Sequence, residues 1–263
     1  MKSYPVAIKH KVMVLSGKGG TGKTTVAVNL AYAARRMGLK VGILDADIHG
    51  PNVPLMLGIV DARATVGEGN KIIPVEVEEG LQVMSIGFLL PSQDTPVIWR
   101  GPLKHKFLGQ MVNDVAWGDL DVLFIDLPPG TGDEALSSAM LMKPVDGSII
   151  VTLPQKVSLM DASKAINFSK QIGVQVLGII ENMSGYTDPL TGEKFEIFKA
   201  GGGKLLAEKY GIAFLGSVPL DPRVVECGDS GTPVVKKYPN SAAAKAFMKI
   251  MEALWGILEP QSS

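Results

Sequence analysis

The chain has 263 residues, 46% hydrophobic and 20% charged, which is enough apolar material for a sizeable core in one large α/β domain. Lys and Arg number 26, as do Asp and Glu, so no excess of positive charge recommends nucleic acid as a partner. A single cysteine, Cys227, excludes a disulfide framework within the chain and makes the reducing cytoplasm the expected location. The N-terminal stretch MKSYPVAIKHK lacks the apolar segment of a signal peptide, and no apolar run reaches membrane-spanning length, so no membrane partner is expected.

In chain order, short apolar runs alternate with helical patterns. Strands are predicted at KVMVLS from Lys11, LKVGILDAD from Leu39, LQVMSIGF from Leu81 and DVLFIDLPPG from Asp121. Three more follow: GSIIVTLP from Gly147, VQVLGIIENM from Val174 and AFLGSVPLD from Ala213. Several are apolar on both alternations, as strands covered on both faces must be. Helices are predicted over 23–37, 103–114, 133–141, 158–172, 203–210 and from about 240 to 257. Residues 61–79 read as a hairpin excursion and 188–203 as a loop. The alternation predicts an α/β fold, a doubly wound and mostly parallel sheet with helices on both faces. It is read as a single domain over 11–258 between tails at 1–10 and 259–263.

Between the first strand and first helix stands SGKGGTGKTT, from Ser16 to Thr25. Gly17, Gly19 and Gly22 satisfy the dinucleotide pattern G-x-G-x-x-G. Gly17, Gly22, Lys23 and Thr24 satisfy the triphosphate P-loop G-x-x-x-x-G-K-T. A dinucleotide needs close backbone approach and has no use for a cation at Lys23, although Asp45 lies where its ribose ligand would be. A triphosphate needs both Lys23, for the β- and γ-phosphates, and Thr24, whose hydroxyl helps hold Mg²⁺. The loop's backbone N–H groups and the helix N-terminus complete the cradle. Downstream, Asp126 ends an apolar strand where a second Mg²⁺ ligand belongs. The two parts together select the triphosphate.

GKGGTGKTT resembles the deviant phosphate loop of the MinD/ParA/nitrogenase-iron-protein superfamily, marked by an extra early lysine, here Lys18. DADIHGPN, IWRGP, DLPPGTGDE, ENMSGY and GSVPLDPRVVECGDSGTPVV resemble the Mrp/ApbC-type ATPases within it. The likeness runs from about Lys11 to about Val235 and implies a slow, Mg²⁺-dependent ATPase. Residues 17–25 (Gly17, Lys18, Gly19, Gly20, Thr21, Gly22, Lys23, Thr24 and Thr25) would bind ATP. Lys18 would reach the nucleotide of the opposite subunit in a homodimer, supplying charge in trans. Asp45 would join Thr24 and Asp126 around Mg²⁺, and Asp47 would orient the attacking water. Asn182 would hydrogen-bond adenine, with Pro219 and Asp221 of VPLDP lining the base pocket.

Each assignment has a plainer alternative. Asp45 and Asp47 also suit a strand end before the turn at His49, Gly50 and Pro51, and Asn182 also suits a turn. Asp133 is expected to N-cap its helix. Arg100 either holds a loop to a neighbouring subunit or caps a helix.

The resemblance also implies iron–sulfur cluster assembly, with apoproteins or a cysteine-bearing paralogue as partners. Family members hold their cluster through a CxxC pair after ENMS. Here Asp188 and Thr191 occupy those positions, with Pro189 and Gly192 of that setting kept, so the spacing is present without the thiolates. Cys227 reads as a small buried hydrophobe. His10, His49 and His105 are scattered without metal spacing. No iron–sulfur ligand set is therefore expected in this chain. The alternative function is a MinD- or ParA-like positioning or partitioning ATPase acting at a membrane or on DNA. For that role the last helix could anchor through Phe247, Ile250, Leu254 and Ile257, yet Lys245 and Lys249 make a poor basic face, and core packing is the preferred reading.

Overall fold

The computed structural model describes residues 8–260 except 49, 90–107, 110, 112–113, 188–190 and 192. The first half runs β1 (Ile8–Leu15), α1 (Lys23–Arg36), β2 (Val41–Asp45), α2 (Val53–Met56), β3 (Thr65–Val66), β4 (Ile72–Ile73), β5 (Val75–Glu78) and β6 (Leu81–Ser85). Next come β7 (Leu120–Asp126), α3 (Asp133–Met142), β8 (Gly147–Thr152), α4 (Lys156–Gln171) and β9 (Val176–Glu181). The chain closes with β10 (Tyr186–Thr187), β11 (Lys194–Phe195), α5 (Gly202–Tyr210), β12 (Phe214–Ser217), α6 (Pro222–Asp229), α7 (Val234–Lys237) and α8 (Ala242–Leu258).

Eight strands form one sheet in the order β12-β9-β8-β1-β7-β2-β6-β5. Every neighbouring pair is parallel except β5 with β6. β2 and β8 are buried along their whole length, which explains why their sequences carry no polar alternation. β5 is the antiparallel edge that the sequence reading placed inside the 61–79 excursion. Its VEVE alternation marks an edge strand with one face wet. The excursion does contain a hairpin, β3 against β4. The sheet starts at Ile8, three residues inside the expected tail.

α1 is buried along most of its length between the sheet and α8. Small residues at Ala27, Ala31 and Ala34 let it lie close to both. In α8, Phe247, Ile250 and Leu254 are buried, each worth roughly 1.5–3 kcal/mol on leaving water. Ile257 is 38% exposed and does not share that packing. Ser241 caps this helix by accepting from the Ala244 amide at 3.1 Å. Three short helices, α2, α6 and α7, fall in Pro- and Gly-rich segments for which no helix was predicted. Gly132, not Asp133, stands at the N-cap of α3. Asp133 and Glu134 instead fill its first turn, where their charge suits the helix dipole. Arg100, His49, His105, Asp188 and most of the 103–114 helix lie outside the described residues.

Candidate functional site

Parallel packing brings the C-terminal ends of β1, β2 and β7 side by side, with Val14 and Asp45 each in register with Asp126. In such sheets the crevice beyond the strand ends is where ligands bind. The loop after β1 contains the Gly-rich stretch. Gly22 takes a left-handed conformation (φ 80°) at the N-cap of α1, where no side chain caps the helix amides. A Cβ on Gly22 would also sit 2.2 Å from the Asn182 amide nitrogen. Gly17 is required by close approach, since a Cβ there would come within 2.0 Å of the Asp161 carbonyl oxygen on α4. Gly19 and Gly20 are exposed, with open space where a Cβ would be. Ser16 braces the loop, its hydroxyl donating to the Lys18 carbonyl at 3.0 Å and its own carbonyl accepting from the Gly130 amide at 2.9 Å. The Lys18 side chain is half-buried beside them.

Lys23 and Thr24 meet Asp126 across 103 and 102 positions of sequence. Lys23 Nζ donates to Asp126 Oδ1 at 2.6 Å, and the Thr24 hydroxyl donates to Oδ2 at 2.6 Å. The ion pair is almost fully buried, with side chains 6% and 1% exposed. Asp45 is wholly buried on the neighbouring strand. Its Oδ2 accepts from the Ser85 hydroxyl at 3.1 Å and the Val53 amide at 3.2 Å, and its Oδ1 from the Asp47 amide at 3.3 Å. Burial and the like charge of Asp126 push its carboxyl up to about 8, against the opposing pull of Lys23 and these donors. Near neutral pH the Asp45 carboxyl therefore keeps its proton. Asp47 is half-buried, and its Oδ1 accepts from the Gly50 amide at 3.2 Å.

On the far side of the loop, Asn182 donates from Nδ2 to the Thr21 carbonyl at 2.9 Å. It shares the wall of a cavity of about 210 Å³ with Thr25, Pro219 and Asp221. Asp221 also caps α6, accepting from the Arg223 amide at 3.0 Å, and forms an ion pair with the Arg223 guanidinium at 2.8 Å. The sequence reading missed Ser85, which the β2–β6 register delivers to Asp45, and Glu181, buried beside Asn182. Among the candidate sites left aside, Cys227 is 1% exposed and burial raises its thiol pKa. His10 bonds Asp146 at 3.2 Å and Glu259 at 3.1 Å, far along the chain from any other histidine.

The donor set suits a magnesium nucleotide on structural grounds. The Thr24 hydroxyl meets Asp126 at 2.6 Å, and Asp45 stands in register with Asp126 on the adjacent strand, oxygen groups of the kind a hard cation takes. The helix amides lack a side-chain cap, and Thr21 Oγ1 is buried without a partner. A parallel sheet with this loop after its first strand and an aspartate ending the adjacent strand defines a P-loop nucleoside triphosphatase.

Comparison with known proteins narrows the class. The family model of the ParA type, described as the NUBPL iron-transfer P-loop NTPase, matches residues 7–255, and the chain belongs to that family. It is 48% identical over 247 residues to the iron–sulfur cluster carrier protein of Methanocaldococcus jannaschii, covering 94% of this chain and 84% of that protein. It resembles the structure of a nucleotide-binding protein in complex with ADP from Archaeoglobus fulgidus (39% identity, TM-score 0.76), over 85% of this chain and 87% of that one. The septum site-determining protein MinD of Pyrococcus horikoshii, complexed with Mg-ADP, shares the fold at 28% identity and TM-score 0.72, over 95% and 99% of the chains. No helix among the described residues is long and apolar enough to cross a membrane.

Proposed function

We propose that this chain is a slow, Mg²⁺-dependent ATPase that works as an ATP-gated homodimer in iron–sulfur cluster or metalloprotein assembly. The observation that carries the reading is the buried Lys23–Asp126–Thr24 cluster at the foot of an open glycine loop. Residues 17–25 would wrap the phosphates with backbone N–H groups, and Lys23 would leave Asp126 to meet the β- and γ-phosphates. Thr24, Asp45 and Asp126 would hold Mg²⁺, which supplies charge neutralisation at the phosphate oxygens. Asp47 would orient the attacking water. Lys18 of the second copy would stabilise the charge on the transferred phosphoryl group. Asn182, Pro219 and Asp221 would hold the base in the cavity of about 210 Å³.

The cargo reading draws on the relative named as a cluster carrier. Against direct carriage, Asp188 and Thr191 replace the expected cysteine pair, and the one thiol is buried in α6. The chain would therefore serve apoproteins through, or together with, a cysteine-bearing partner. Anaerobic reconstitution with iron and sulfide tests this. No charge-transfer band is expected, while Mg²⁺-dependent ATP hydrolysis by the same sample persists. A band at stoichiometric iron contradicts the cysteine argument. The MinD-like alternative predicts ATP-dependent co-sedimentation with liposomes, and none is expected.

A further inference from the structure

β12 (Phe214–Ser217) is one edge of the main sheet. Among the described residues β9 is its only strand neighbour, so the other side of its backbone has no ladder partner. Helix α8 packs against this edge. Gly216 allows the close approach, since its φ of 148° favours glycine and a Cβ there would sit 2.8 Å from Ile250 Cγ1. Two hollows of about 340 Å³ each lie along the edge and adjoin at Ala242, which stands in the wall of both. The first has Leu215, Gly216 and Ser217 of the strand on one side. Its other side is Ala242, Lys245, Ala246 and Lys249, the i, i+3, i+4 and i+7 positions of one helix face. The alanines keep that wall low, and the lysines stand on successive turns. The second hollow runs past Pro219 to Tyr186 and Arg223.

The charge along this groove is unbalanced. Lys245 and Lys249 are exposed, and among the described residues neither side chain has an ion-pair or hydrogen-bond partner. Lys236 and Lys237, by contrast, each bond a glutamate. Asp221 is the one acid in the described walls of the two hollows, and it is already paired with Arg223. That pair uses Nε and Nη2 of the guanidinium and leaves the Nη1 donors unused. The groove thus offers unpaired backbone groups on one side and uncompensated cations on the other.

We propose that this groove docks an extended, acidic segment of a partner protein, which adds a strand to the open side of β12 and sets its carboxylates against Lys245 and Lys249. Backbone bonds hold such a segment, and the lysines select its charge. A second copy of the chain fits less well, because pairing β12 with itself brings the lysines of both copies to one interface. The chain's own first residues, MKSYPVA, carry a lysine and no acid, so they lack the complementary charge. The inference goes beyond the nucleotide reading and does not depend on it.

Fluorescence anisotropy on the full-length protein tests it, with a labelled peptide of alternating glutamate and threonine as the probe. The peptide should bind at low salt and weaken as salt screens the exposed pairs. With glutamine in place of glutamate it should bind about tenfold more weakly, the worth of two exposed ion pairs. The acidic peptide should lose the same factor on Lys245→Gln/Lys249→Gln, whose urea midpoint should match the wild type because both side chains are exposed. Lys156→Gln/Lys204→Gln removes two exposed lysines outside the groove and should keep full affinity. Hydrogen exchange over Phe214–Ser217 should slow when the acidic peptide is bound. The proposal is overturned if the acidic peptide binds wild type no tighter than the glutamine one, or if Lys245→Gln/Lys249→Gln keeps full affinity. It is equally overturned if Lys156→Gln/Lys204→Gln loses as much, or if bound peptide leaves exchange over 214–217 unchanged. A peptide-free dimer in sedimentation that Lys245→Gln/Lys249→Gln disrupts assigns the groove to a second copy and overturns it as well.

Discussion

The phosphate loop and the loop over 184–203 both leave the C-terminal ends of parallel strands, yet they are built in opposite ways. The first buries Lys23, Asp45 and Asp126 together, with little protein around the exposed Gly19 and Gly20. The second exposes Phe195 and Ile197 and is fastened by the single buried carboxylate of Glu181. Buried charge is costly unless it is paired, so its concentration beside the glycine loop supports the proposed nucleotide site there. The second loop is fastened through Glu181, and its described residues carry no comparable cluster.

Four substitutions probe the buried cluster and its surroundings. Lys18→Ala should leave ATP binding nearly intact and lower turnover by about 10³-fold, as loss of a trans-acting cation does. Turnover equal to wild type in a single-turnover assay would remove the role across the dimer. Lys23→Ala strands Asp126 beside Asp45 without a cation and should destabilise the nucleotide-free protein by about 3 kcal/mol in urea. Asp45→Asn acts in the other direction. With its folded pKa raised to about 8 from an unfolded value near 3.8, Asp45 binds a proton more tightly in the folded state. Its share of stability is therefore complete below about pH 4 and is lost as pH rises toward about 8. The variant should flatten that decline, measured by urea midpoints at several pH values. Asp221→Ala removes a helix cap and should cost about 1 kcal/mol, measurable as a small midpoint shift.

The glycine loop and the strand-end aspartate were legible because the signal for each is local. Gly17 to Thr25 is contiguous, and Asp126 ends an unmistakable apolar strand. Ser85 was hidden because it reaches Asp45 only through the β2–β6 register. Glu181 stood within the quoted ENMSGY stretch, but two of its partners lie 20 and 22 residues on, after a loop whose closure no periodicity encodes. The α6 and α7 helices escaped because proline and glycine punctuate them, although Pro222 in fact starts α6 where a missing N–H costs nothing. The edge strand Val75–Glu78 carried a readable alternation that was absorbed into the hairpin around it.

In the proposed mechanism Lys23 leaves Asp126 to bind a nucleoside triphosphate. Isothermal titration of Mg²⁺-ATP into wild type and Lys23→Ala tests it most directly. The wild type should bind one ATP per chain, and the variant should lose about 100-fold or more in affinity, as expected when a charge-assisted contact goes. Equal affinity in the two proteins would contradict the assignment.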